Sequence, residues 1–166
     1  DHGGAWEGAI VDGTNPQGKR HFMSTDKIAN ALRSLTKATG KKIDLLVWNA
    51  CSMASLEVAY ALKDYVRYMI GSENYIVNGG LPLLPILAEA KYRIQGANVV
   101  RPETGFKPRE LGYIFTQISR AGSHPPGDYM SYSIDTLSMI EIGNRDRSTS
   151  SALTDVYSLT LRSSTL

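Results

Sequence analysis

A single α/β domain built on a parallel βαβ unit is the fold class the sequence predicts, and three observations predict it. Ile43-Asp44-Leu45-Leu46-Val47-Trp48 is a compact apolar run bounded by turn residues, the pattern of a buried parallel strand. Leu56–Leu62 follows as a short helical segment, and Val66–Ile70 supplies a second apolar run. The 166 residues, 42% hydrophobic and 20% charged, suffice for one domain with a real core and are too few for two comfortable ones.

The elements follow in chain order. Ala5–Met23 is rich in Gly, Asn, Pro and Asp around a short apolar piece, Ala9-Ile10-Val11, and reads as a hairpin or loop following a strand end. Ser24 or Thr25 can cap a helix in which Ile28, Leu32 and Leu35 recur at helical spacing. Lys37 lies in its last turn and Gly40 ends it. After the Ile43–Trp48 strand, Ser52 or Ser55 can cap the Leu56–Leu62 helix.

Gly79-Gly80-Leu81-Pro82 is loop, Leu83–Ile94 a helix with Pro85 near its start, and Asn98–Pro108 a linker. Leu111, Ile114, Phe115 and Ile118 mark an amphipathic helix that Gly122-Ser123-His124-Pro125-Pro126-Gly127 terminates. Met130–Ile134 is expected to be a further strand. The tail from Leu137 to Leu166 is expected to hold two helical segments split by Asn144–Ser151.

Charge and cysteine content narrow the function. The 18 basic and 16 acidic residues are dispersed, without a basic block, so nucleic acid is not an expected partner. One cysteine permits neither an intrachain disulfide framework nor a cysteine-rich zinc site. No apolar run reaches the roughly 18 residues of a membrane span.

That cysteine is the most informative residue. A lone cysteine is most often a small buried apolar side chain, but Cys51 falls just past a parallel strand, at the edge where open α/β sheets bind ligands. A helix beginning a few residues later directs its positive end toward the thiol, which favours the thiolate. His2 precedes it by 49 positions, and an upstream histidine at roughly 50 residues is the caspase-type arrangement of a cysteine peptidase. Gly3 and Gly4 behind His2 permit close main-chain approach. His21, in a basic hairpin return, and His124, in a Pro-Gly loop, read as surface residues.

Four segments carry a family resemblance. Asp1-His2-Gly3-Gly4-Ala5-Trp6, then Asn49-Ala50-Cys51-Ser52-Met53 with Glu57–Leu62, then Gly71-Ser72-Glu73-Asn74-Tyr75-Ile76 and Tyr132-Ser133-Ile134-Asp135 resemble, in order, the clostripain family of cysteine peptidases. The resemblance implies a caspase-like fold, a mostly parallel sheet flanked by helices. It implies His2 as general base and acid, Cys51 as nucleophile, and the Gly3 and Cys51 amides as oxyanion hole. The substrate would be a protein or peptide, cleaved through a thioester acyl-enzyme by a bacterial enzyme of the extracellular space or cell envelope. No cofactor is required, although calcium dependence occurs in part of the family; no Asp-rich loop is present to carry it. Asp1 matches the motif without an assigned role.

Two departures shape the expectations. Family members carry an aspartate two residues before the cysteine, which helps recognise a basic P1 side chain; this chain has Asn49. Asn49, Ser72 and Glu73 are the candidate substrate-binding residues; a neutral amide bonds a cation about half as strongly as a carboxylate, so Glu73 is the candidate replacement charge. The family also carries at least two strands before the histidine. Residues 1–166 are therefore expected to be part of a caspase-like peptidase domain whose first strands the rest of a longer chain supplies. The alternative from another class is a caspase-like module that binds or scaffolds without cleaving.

Overall fold

The computed structural model describes residues 2–12, 21–76, 80–100, 106–121 and 137–142. Its first elements are a short 3-10 helix, Ala5–Glu7, and an antiparallel hairpin of β1 (Ala9–Asp12) and β2 (His21–Met23). The hairpin register shifts between Ala9 and Val11 at a bulge, where Ile10 takes the left-handed φ of 63°. A β-branched residue resists that conformation. Here it turns the Ile10 N–H onto the His2 carbonyl, 3.1 Å away.

α1 (Thr25–Thr39) is capped by Ser24, whose side chain accepts from the Lys27 N–H. The other expected cap, Thr25, instead donates its hydroxyl to the Trp6 carbonyl at 2.8 Å and ties the helix to the 3-10 turn. Gly40, with φ of 68°, ends α1 by donating to the Thr36 carbonyl at 2.9 Å.

The predicted βαβ unit is present. β3 (Ile43–Val47) runs parallel to β4 (Val66–Ser72), with Ile43 opposite Val66 and Val47 opposite Ile70. Between them lies α2 (Leu56–Leu62), capped by Ser55 through the Val58 N–H at 3.3 Å. β4 continues two residues beyond the expected Ile70, and that extension bears on the candidate site.

Other boundaries differ from expectation. α3 (Leu83–Val100) runs past Ile94 and into the first residues, Asn98–Val100, of the stretch expected to be linker. Pro85 is tolerated because the first helical turn has N–H groups with no intrahelical acceptor. α4 (Pro108–Ala121) begins on proline, where the fixed φ suits the first helical position. A helix was expected from Leu137, but Leu137–Glu141 is a strand, β5, antiparallel to β4. A strand covered on both faces presents a near-continuous apolar run, which periodicity alone does not separate from a helix. The expected Met130–Ile134 strand, the 122–127 loop and the tail beyond Ile142 lie outside the described residues.

The sheet has the order β3-β4-β5, with one parallel and one antiparallel pairing. Side chains of β4 alternate between two cores. Met69 faces α1 and α2, among Ile28, Val58 and Leu62. Ile70 faces α3 and α4, among Ile86, Ile114 and Phe115. β4 is the buried strand, whereas the apolar residues of β3, expected to be buried, are only half-buried. The cause is position: β3 is at the sheet edge, and its outer flank has no strand partner among the described residues.

Met69 has no exposed surface. Met69→Ala is expected to cost about 2–5 kcal/mol through lost burial and the cavity left behind. Urea unfolding would show this as a lower midpoint.

Candidate active site

The carboxyl end of β3 leads through Trp48, Asn49 and Ala50 into a turn at Cys51-Ser52. Trp48 and Ala50 are buried and fix the path, and Met53, with no exposed surface, plugs the turn into the α1/α2 core. Ser52 adopts the left-handed φ of 55°. Such a residue costs on the order of 1–3 kcal/mol and persists only where its surroundings hold it.

What holds it is β4. The Ala54 N–H donates to the Ser72 carbonyl at 3.0 Å, and the Ser52 N–H to the Asn74 carbonyl at 2.9 Å. The turn thus continues pairing beyond the end of β4, with residues stepping by two in opposite directions. Ser72 is fully buried, and its hydroxyl accepts from the Asn74 N–H at 3.2 Å. The Asn74 side-chain oxygen accepts from the Tyr75 N–H at 2.8 Å.

Cys51 is half-buried and unbridged. Its sulfur accepts from the Ile76 N–H at 3.2 Å, with the Ile76 carbonyl 3.9 Å away. The helix-dipole contribution expected from the sequence needs correction. α2 starts only at Leu56 behind its Ser55 cap and is seven residues long, so Cys51 lies more than a turn upstream of a short helix, and the dipole effect fades within the first turn.

His2 and Gly3 lie against this turn. Gly3 forms a bridge with Ala9, and His2 is held by the Ile10 N–H. A Cβ added to Gly3 would fall 1.9 Å from the Cys51 carbonyl oxygen, so only glycine permits this approach. Gly71 does the same on the opposite side, where a Cβ would lie 2.9 Å from the Ala54 nitrogen. The His-Gly step and the cysteine, 49 positions apart in sequence, are therefore neighbours at one corner of the fold. His2 itself is exposed.

The remaining candidates are held by different neighbours. The Asn49 side-chain oxygen accepts from the Leu81 N–H at 2.9 Å, and its amide covers Gly80 so closely that a Cβ there would lie 2.5 Å from that oxygen. Asn49 thereby fastens the entry to α3. Glu73 is exposed just past β4, and one carboxylate oxygen accepts from the Ser138 hydroxyl of β5 at 3.3 Å. Asp1 and His124 lie outside the described residues; His21 opens β2 opposite Asp12. Among the described residues no group of three or more His, Cys, Asp or Glu could hold a metal ion. No described helix is long and apolar enough to cross a membrane.

Sequence reasoning did not find Ile76, Gly80 or the Ile10 bulge. The motif containing Ile76 was visible, but a main-chain donor has no residue-type signal.

An α/β sheet that presents one half-buried thiol past a parallel strand, with a His-Gly step packed on it, defines the class: α/β proteins with a candidate cysteine nucleophile. The chain belongs to the clostripain family, whose family model matches residues 1–107, and its α/β architecture is accordingly caspase-like. Solved structures similar to it include a B. fragilis cysteine protease, at 19% identity and TM-score 0.46, covering 74% of this chain and 44% of that one. A secreted C11 cysteine protease from Bacteroides thetaiotaomicron, in complex with an irreversible peptide inhibitor, matches at 19% identity and TM-score 0.48, over 84% of this chain and 37% of that one. A B. thetaiotaomicron clostripain in complex with the peptide inhibitor BTN-VLTK-AOMK matches at 24% identity and TM-score 0.38, over 69% and 54%. The chain thus spans 37% to 54% of these proteins' lengths. No curated protein matches it.

Gly3→Ala should displace either the His2-Gly3 segment or the Cys51 turn. A misplacement near 1 Å costs about 100-fold in rate, so the alkylation rate of Cys51 by a peptide ketone should fall by that order, with a lowered thermal midpoint. An unchanged rate would mean that Gly3 does not set the approach.

Proposed function

We propose that this chain carries the catalytic dyad of a cysteine endopeptidase, with Cys51 as nucleophile and His2 as general base and acid. One observation carries the reading: Gly3, the residue after His2, packs its backbone on the carbonyl of Cys51, whose thiol is half-buried. The Cys51 thiolate attacks the scissile carbonyl carbon, forming the C–S bond, and the oxyanion is held by the Gly3 and Cys51 N–H groups. As the tetrahedral species collapses, the C–N bond breaks and His2 donates a proton to the leaving amine. Water, losing its proton to His2, then attacks the thioester, and the C–S bond breaks to give the acid. The chemistry uses no cofactor.

Recognition of a basic P1 side chain falls to Glu73 in this reading. Asn49 is neutral and directs its oxygen to Leu81, whereas Glu73 is exposed and ionisable, beside the nucleophile turn. Ser72, fully buried, acts by positioning Glu73 and Asn74 rather than by touching substrate. The protein is placed outside the cytosol of a bacterium, as the family resemblance implies; recovery from the medium or envelope fraction checks this.

A non-cleaving binding module remains the second reading, favoured by the commitment of Asn49 to α3. A peptide acyloxymethylketone of the VLTK type distinguishes them in the whole protein. Labelling of Cys51, at least tenfold faster than of a free cysteine and lost in His2→Ala, is expected for the peptidase. Labelling no faster than a free thiol would leave only the binding module.

For P1, a fluorogenic panel should show Arg and Lys preferred over neutral residues. Glu73→Gln should reduce kcat/KM for basic substrates about tenfold and leave neutral ones near their original values, since a charge-assisted contact is lost. Equal rates before and after Glu73→Gln would remove that role.

A further inference from the structure

Ile76, three residues beyond Glu73, returns to the Cys51 sulfur. We propose that the main-chain N–H of Ile76 positions the Cys51 sulfur and stabilises its thiolate, so that the Asn74–Ile76 segment belongs to the catalytic machinery; this rests on Cys51 being the nucleophile.

Three observations converge. The Ile76 nitrogen lies 3.2 Å from Sγ, within hydrogen-bond reach of sulfur. Its position is fixed from below by successive contacts, Ala54 N–H to the Ser72 carbonyl and Ser52 N–H to the Asn74 carbonyl. Two residues beyond Asn74 the direction reverses, and the Ile76 N–H donates to the Cys51 sulfur. From the side, the Ile76 side chain packs against the α3/α4 core that holds Ile70, Leu81 and Ile86. The apolar side chain is thus an anchor, and the main chain delivers the donor.

The chemistry favours one protonation state. A thiol can donate its proton toward the Ile76 carbonyl, 3.9 Å away, while accepting from the Ile76 N–H. A thiolate loses the first contact and strengthens the second, because a donor facing a full negative charge forms a charge-assisted bond. The donor also fixes the side-chain rotamer, so the sulfur does not swing away from an incoming carbonyl.

The test separates the donor from the side chain. In the whole protein, Ile76→Pro removes the N–H, while Ile76→Val keeps both donor and anchor. Cys51 alkylation by iodoacetamide, followed against pH, is expected to shift its midpoint upward in Ile76→Pro and to slow about tenfold at neutral pH. Ile76→Val should retain the original midpoint. Ile76→Pro with the original pH profile would overturn the proposal.

Because the proline variant can fail to fold, the unmodified protein supplies a second measurement. The ¹⁵N–¹H shift of the Ile76 amide should titrate with the same midpoint as Cys51 alkylation, and the titration should vanish after carbamidomethylation. An amide shift indifferent to Cys51 ionisation would overturn the proposal in a protein whose fold is intact. Slow alkylation of Cys51 with a responsive Ile76 amide would instead count against the peptidase reading and leave the contact standing.

Discussion

The site depends on how closely three stretches of main chain approach at the Cys51 turn. Gly3 lies on one side and Gly71 on the other, and at both positions a single added carbon would collide with backbone. Side chains can rotate away from a clash; peptide groups in a hydrogen-bonded turn cannot. Removing two Cβ atoms therefore brings the His2-Gly3 step, Cys51 and the end of β4 into one corner.

The strain that this turn carries is met by the sheet. Ser52 keeps a left-handed backbone because its N–H and that of Ala54 complete pairing with Asn74 and Ser72. β4 can sustain this because it is the most deeply packed strand, with Met69 and Ile70 in separate cores. Stability and site geometry thus meet in one strand. The same buried strand carries Glu73 outward at its end, which puts a solvated carboxylate beside a rigid turn.

Much of this was legible in the sequence, for identifiable reasons. The βαβ unit was readable because turn residues punctuate both apolar runs and Ser55 caps the helix between them. The meeting of the His2-Gly3 step with Cys51 was readable from their spacing, and the structure packs Gly3 on the Cys51 carbonyl. β5 was not, since Leu137 and half-buried Met139 pack on one face and Ile140 on the other, which loses the alternation that marks a one-sided strand. The half-exposure of β3 was hidden because apolar content reports burial in a complete sheet, not position within it. Asn49 illustrates a subtler limit: its identity showed that a charge was absent, but only the contact with Leu81 showed what the amide does instead. Ile76 was invisible as a donor because every residue except proline carries the same N–H.

If packing around this turn creates a nucleophile, a covalent intermediate must form on Cys51 during turnover. Rapid mixing of the whole protein with a peptide ester, acid quench and peptide mapping by mass spectrometry reads this directly. An acyl group on the Cys51 peptide, appearing before product and absent in Cys51→Ser, is expected. Substrate hydrolysed at the same rate by Cys51→Ser, or turnover with no adduct on Cys51, would contradict it.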